Sequence, residues 1–137
     1  MRVAVPLLPS AFRWLGAGLI AGALVYFSLL TPPPVAPPEP APLWDKKLHL
    51  AGYAILTLSL AYATAASELR SPRRVLLVLV SAVLLGAGIE LLQGRLPDRY
   101  FSYGDMIANA IGAVLASVWF LLETRFEYVR SIDEWLG

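Results

Sequence analysis

Cysteine is absent from the 137-residue chain, which excludes disulfide staples and thiolate metal sites. Histidine occurs once, at His49. Charge is sparse: Asp, Glu, Lys and Arg make up 15% of the residues, against about 25% in soluble domains. The formal net charge is only +1, too little for the basic field that nucleic-acid binding requires. Catalytic signatures are missing too. There is no G-x-S-x-G elbow, no H-E-x-x-H and no Gly-rich phosphate loop.

What the chain has instead is apolar length. The hydrophobic fraction is 58%, against roughly 45–50% in soluble domains. Four runs stand out, Phe12–Leu30, Leu48–Ala66, Val75–Gln93 and Gly104–Leu122, each 19 residues long. As helices they would each span about 28 Å, close to the ~30 Å hydrocarbon core of a bilayer. Backbone polar groups must be paired in lipid, and Ala, Leu and Gly dominate, so the runs are predicted to be helices. The expected architecture is an all-α integral membrane protein with four transmembrane helices at about 12–30, 48–66, 75–93 and 104–122. The first run exceeds the ~7–15 residues of a signal-peptide core and is read as a retained helix.

A single domain over 1–137 is expected. Seven of the eleven prolines fall in TPPPVAPPEPAP, residues 31–42, which reads as a semi-rigid extended spacer. In the tail, 124–137, Phe126, Val129, Ile132 and Trp135 or Leu136 recur at three- to four-residue spacing. That spacing predicts a C-terminal amphipathic helix at the membrane surface. Gly18-x-x-x-Gly22 and Gly112-x-x-x-Ala116 are small-residue pairs expected to pack helices within the bundle.

Basic residues set the orientation. Arg2, Arg13, Arg70, Arg73, Arg74, Arg125 and Arg130 lie on one side, and Lys46, Lys47, Arg95 and Arg99 on the other. Seven against four places both termini in the cytoplasm of a multi-pass cell-membrane protein.

The polar residues then fall into a layer. The second helix opens WDKKLHLAGY, with Asp45, His49 and Tyr53 on one face. The third ends GIELLQ, with Glu90 and Gln93 at i, i+3. The fourth is entered through DRYFSYGDMIAN, where Asp105 and Asn109 stand at i, i+4. All three helix ends lie on the external face in this topology. Asp45, Lys46, His49, Tyr53, Glu90, Gln93, Arg99, Asp105 and Asn109 can therefore converge. Ionisable groups cost about 2.5–3.5 kcal/mol at the bilayer centre and less near its edge, so several at one depth imply mutual pairing or a wet cavity.

Each has a structural reading beside the functional one. Glu90 can pair with a basic neighbour and lock helices together. Asp105 can cap the fourth helix. Gln93 and Asn109 can be interhelical hydrogen-bond partners, and Tyr53 an interface aromatic. His49 can be an interfacial donor, or an acid–base group oriented by Asp45 at i−4.

The pattern D-K-x-x-H-x-x-x-Y at Asp45, Lys46, His49 and Tyr53 resembles the first motif of the VanZ-like membrane protein family. E-x-x-Q at Glu90 and Gln93 fits that family as well. So does R-x-x-S-x-x-D-x-x-x-N-x-x-G at Arg99, Ser102, Asp105, Asn109 and Gly112. The resemblance covers about Asp45 to Ala116 and leaves out the proline-rich spacer and the tail. It implies a small polytopic membrane protein of a family named for a member linked to teicoplanin resistance. A site rather than a fold defines function, so the activity must be argued from the residues.

Three functions compete. In the first, a non-enzymatic protein binds an envelope lipid or glycan headgroup. Lys46, Lys47 and Arg99 contact its anion, and Tyr53, Gln93, Ser102 and Asn109 are the further ligand-binding candidates. In the second, an interfacial enzyme acts on a lipid-linked substrate, with His49, Asp45, Glu90 and Asp105 as catalytic candidates. Ser102 is its only nucleophile candidate. In the third, the layer is structural or proton-linked. No cofactor is expected. The one metal reading the residues allow is a divalent ion held by His49 with Asp45, Glu90 or Asp105.

Overall fold

Pro9 sets the start of the first helix, where its fixed φ and missing N–H cost nothing. In a computed structural model, residues 2–32, 43–68 and 71–130 are described, and most of them are helical. The spacer from 33 to 42 and the chain beyond 130 lie outside the described residues.

Helix α1 (Ser10–Val25) continues into a π-helical turn, Tyr26–Leu30, and ends at extended Thr31. Pro32 follows and disfavours a helical Thr31. Helix α2 (Trp44–Ala63) begins at Trp44 rather than Leu48 and ends before Ala66. It is entered through Leu43 at φ 66°, a conformation that costs an apolar residue about 1–3 kcal/mol. Helix α3 (Ser71–Gln93) takes Pro72 in its first turn, where proline is tolerated. Ser102 caps helix α4 (Tyr103–Ala116), its hydroxyl accepting from the Asp105 amide at 3.2 Å. The fourth helix loosens at Ser117 and Val118 and resumes as α5 (Trp119–Leu122). The Ser117 hydroxyl donates to the Val114 carbonyl at 2.6 Å there; such back-bonding bends helices.

Between Phe126 and Val129 a strand replaces the expected amphipathic helix; the expectations for Ile132, Trp135 and Leu136 lie outside the described residues. Strand β2 (Phe126–Val129) pairs in parallel with strand β1 (Val3–Pro6), Val3 opposite Phe126 and Pro6 opposite Val129. The sequence FEYV is aromatic and β-branched at every position but Glu127, a composition that favours strands. Helical spacing was present in the tail, but a long-range strand partner overrides it.

Helix α2 is central. It packs on α1, α3 and most extensively on α4. That crossing is tight because Gly112 lies against the Leu50 backbone. Gly18 and Gly22 have no neighbour there, so the packing expected of that pair is absent among the described residues. The bundle core is Tyr53, Leu56, Ala82 and Ala113, with a second cluster of Ala61, Val78 and Phe120. Outside, Phe12, Leu19, Leu84, Leu91 and Leu115 are exposed, while Thr57, Glu90, Gln93 and Asn109 are buried. This inverted polarity suits a lipid surround. Ser10–Leu30, Ser71–Gln93 and Tyr103–Arg125 are long and apolar enough to cross a membrane.

Candidate functional site

Three helix ends meet where the sequence placed them. The first turn of α2 brings Lys46, the next brings His49, the last turn of α3 brings Glu90, and the start of α4 brings Asp105 and Asn109. Lys46 Nζ lies 2.6 Å from Asp105 Oδ1 and 2.6 Å from Asp45 Oδ2. Its stem runs over Gly104, where an added Cβ would fall 2.9 Å from Lys46 Cε.

His49 Nδ1 is 3.0 Å from Asn109 Oδ1, and Nε2 is 3.8 Å from Asp105 Oδ2. Nδ1–H therefore donates to the amide oxygen, and a second proton on the ring would face Asp105. This corrects the expected Asp45–His49 pairing. Asp45 points outward to Lys46 with a largely exposed side chain. The reason is geometric. Asp45 sits one turn outside His49 on the same helix, while Asp105 is presented from the facing helix at the ring's own depth.

Glu90 is fully buried. Its Oε1 accepts from the Ser102 amide at 2.5 Å, so α3 holds the N-cap of α4. Its Oε2 has no hydrogen-bond partner among the described residues, nor does the buried Tyr53 hydroxyl. Gly86 sits one turn before Glu90 and makes room for both Tyr53 and Asn109. A Cβ there would fall 3.0 Å from Tyr53 Cε1 and 3.0 Å from Asn109 Nδ2.

Three candidates belong to other tasks. Gln93 Nε2 donates to the Ser28 carbonyl at 3.1 Å. Arg99 Nη2 donates to Phe27 O at 3.0 Å and Thr31 O at 2.7 Å. Both thus bind carbonyls in and just after the π-helical turn at the end of α1, which that turn leaves open. Arg99 is spent on backbone rather than aimed into the layer. The Ser102 hydroxyl is engaged as a helix cap, which argues against it as a nucleophile. Among the described residues no group of three or more His, Asp or Glu side chains is placed to hold a metal.

The opposite end carries a second network that sequence reasoning took for scattered topological charge. Arg74 grips Glu123 with two nitrogens, at 2.5 and 3.0 Å. It also donates to Thr64 Oγ1 at 3.0 Å and to the Ala61 carbonyl, and stacks 4.9 Å over the Phe120 ring. Arg13 donates to Leu8 O at 2.9 Å, Tyr62 O at 3.1 Å and Ala63 O at 2.9 Å. Two guanidinium groups thus close the last carbonyls of α2, where the helix dipole favours cations. Tyr128 donates to Glu123 at 2.5 Å. Burial and that carboxylate push the Tyr128 hydroxyl well above the ordinary tyrosine range. The available signal was Glu123, an acid placed directly after the apolar run of the fourth helix.

Nothing among the protein-family models matches the chain. No solved structure matches it. An uncharacterized protein of Schizosaccharomyces pombe is 34% identical over 97 residues, covering 69% of this chain. The aligned part spans 59% of that relative's length.

Proposed function

We propose that this is a VanZ-like membrane protein with four spans, α2 being the fourth, and both termini in the cytoplasm. Its polar layer binds the headgroup of a cell-envelope lipid or glycan at the outer face. Helix α2 has twenty residues, about 30 Å at ~1.5 Å per residue. It packs on α1, α3 and α4, exposes Leu48, Ile55 and Leu58, and its charges sit in the first turn.

The observation that carries the reading is a pair of oxygens, Glu90 Oε2 and Tyr53 Oη, unmatched among the described residues, behind a part-exposed rim of Lys46 and His49. Buried polar atoms without partners are rare and call for an explanation. A hydroxyl-bearing headgroup supplies a donor for the carboxylate and an acceptor for the phenol, and Lys46 attracts an anion beside them.

The test is the profile of lipids that co-purify with the full chain. Wild type should retain a headgroup species that Lys46→Ala and His49→Gln lose. Identical profiles for all three proteins would defeat the proposal.

A second reading is supported by the closed bonds of the same layer. Lys46–Asp105, His49–Asn109 and Glu90–Ser102 are all internal, as in a purely structural lock. Exchanging Lys46 and Asp105 separates the two. A lock regains stability in the double variant, whereas a headgroup site stays empty. The adjacency of His49 and Asp105 is what an acid–base role would use.

A further inference from the structure

The two oxygens of the polar layer that lack partners among the described residues are also sealed in. Glu90 is 0% exposed and Tyr53 2% exposed. A headgroup that reaches them needs part of the bundle to move. The packing singles out which part. Helices α2, α3 and α4 all pack on one another. Helix α1 packs on α2, but among the described residues its main contact with α3 is the π-helical turn at the end where the layer lies. Further in, the seam between α1 and α3 holds a cleft of about 820 Å3, with Arg13 and Trp14 on one side and Leu77 and Ser81 on the other.

Side chains fasten that turn. Gln93 Nε2 donates to the Ser28 carbonyl, and Arg99 Nη2 to the carbonyls of Phe27 and Thr31. Gln93 stands one turn beyond Glu90 on α3, so the clasp lies beside the layer. Below it, Ile20, Ala21 and Leu24 of α1 pack on the core cluster that contains Tyr53 and Ala82. The end of α1 is thus a cover over the Tyr53 side of the layer. π-Helical turns are rare and are found frequently at functional sites.

The seam also selects a class of ligand. Trp14, Phe27, Leu30 and Leu77 are exposed along it, so in a membrane it is reached from the hydrocarbon region. A lipid can pass its headgroup through such a seam and leave its chains outside. A free glycan has no route through lipid.

We propose that the seam between α1 and α3 is a lateral gate, latched by Gln93 and Arg99, through which a membrane lipid brings its headgroup to Glu90 and Tyr53. The gate rests on the headgroup reading for what passes through it, and it names a lipid as the ligand.

The chain has no cysteine, so one introduced thiol reports one place. Ala82→Cys puts it in the core cluster under α1, and Ala61→Cys in the second cluster, which contains no residue of α1 among the described residues. Both positions are fully buried. The full-length chain in phosphatidylcholine vesicles is treated with N-ethylmaleimide, which enters the bilayer, or with a sulfonated maleimide, which does not. Adding Gln93→Ala and Arg99→Ala together should speed N-ethylmaleimide modification of Ala82→Cys at least about tenfold. That factor corresponds to about 1.4 kcal/mol, the net contribution of a single hydrogen bond. The rate at Ala61→Cys should not change. Equal rates at Ala82→Cys with and without the latch overturn the gate. So does the same acceleration at Ala61→Cys, because the whole bundle has then loosened. Modification of Ala82→Cys by the sulfonated reagent as fast as by N-ethylmaleimide overturns lateral entry, because the path then starts in water. These outcomes involve no bound lipid, so they are separate from the co-purification test of the headgroup reading.

Discussion

Replacing Gly112 by alanine should separate the helices that build the polar layer. A Cβ at Gly112 would overlap the Leu50 carbonyl oxygen and lie 2.9 Å from its carbon and 3.1 Å from Leu50 Cα. All three neighbours are backbone, so no side chain can rotate away. Helix α2 must shift from α4 along their most extensive contact. Overpacking of this kind costs about 1–3 kcal/mol, and a rigid backbone neighbour puts Gly112→Ala at the upper end. The natural control is Gly22→Ala, because nothing lies within 4 Å of a Cβ there. That change should be neutral, or stabilising by up to about 1 kcal/mol through helix propensity. Thermal unfolding of both variants in the same detergent reads the difference. His49 and Asn109 also stand on the two displaced helices, so the ring environment of His49 should change in Gly112→Ala alone. Equal melting temperatures for the two variants would refute the argument that backbone contact at Gly112 sets the crossing.

Arg74→Ala leaves the half-buried Glu123 without its cation and should cost about 1–3 kcal/mol, seen as a loss of thermal stability that Arg95→Ala does not share. Asp105→Asn should move the ring nitrogen shifts of His49 in NMR spectra, while Asp45→Asn leaves them in place; the reverse result would restore the i−4 pairing. The raised pKa of Tyr128 means that its stabilising contribution is fully present below the ordinary tyrosine value of about 10 and is lost as pH climbs toward the folded value. Alkaline unfolding should therefore lose that component in Tyr128→Phe. Glu90→Gln keeps an acceptor for the Ser102 amide and should alter stability by only about 1 kcal/mol. In the headgroup reading it still abolishes lipid retention, measured on the same purified sample.

Helix positions were legible because long apolar runs have one outcome in lipid. The polar layer was legible because three helix ends on one face must converge. Partner choice was not. Asp45 and His49 share a helix face, and spacing along one helix says nothing of a carboxylate arriving from another. Asp105 wins because it faces the ring from α4. Arg99 reads as an anion ligand until α1 ends in a π-helical turn whose carbonyls need donors, and no residue in YFSLL announces that turn. The described part of the tail departs from its expected helix for a related reason. Its apolar spacing suits a helix, but strand β1 lies more than a hundred residues away in sequence, and only the bundle brings the two together.

Two carboxylates, one half-buried and one fully buried, show what the layer has that a simple lock would not need. Glu123 has both oxygens on one guanidinium, and all three Arg74 nitrogens are used. That end is a matched network of the kind that rigidifies a bundle. Glu90 is buried more completely, yet one oxygen is matched by a single amide and the other by nothing among the described residues, beside a phenol in the same condition. A half-satisfied network is worse for stability than an apolar replacement. The chain builds a matched pair at the end where two arginines close the last carbonyls of α2. The unmatched pair stands instead beside its only histidine and a part-exposed lysine. Stability alone gives no reason for that placement, whereas an incoming hydroxyl or anion does.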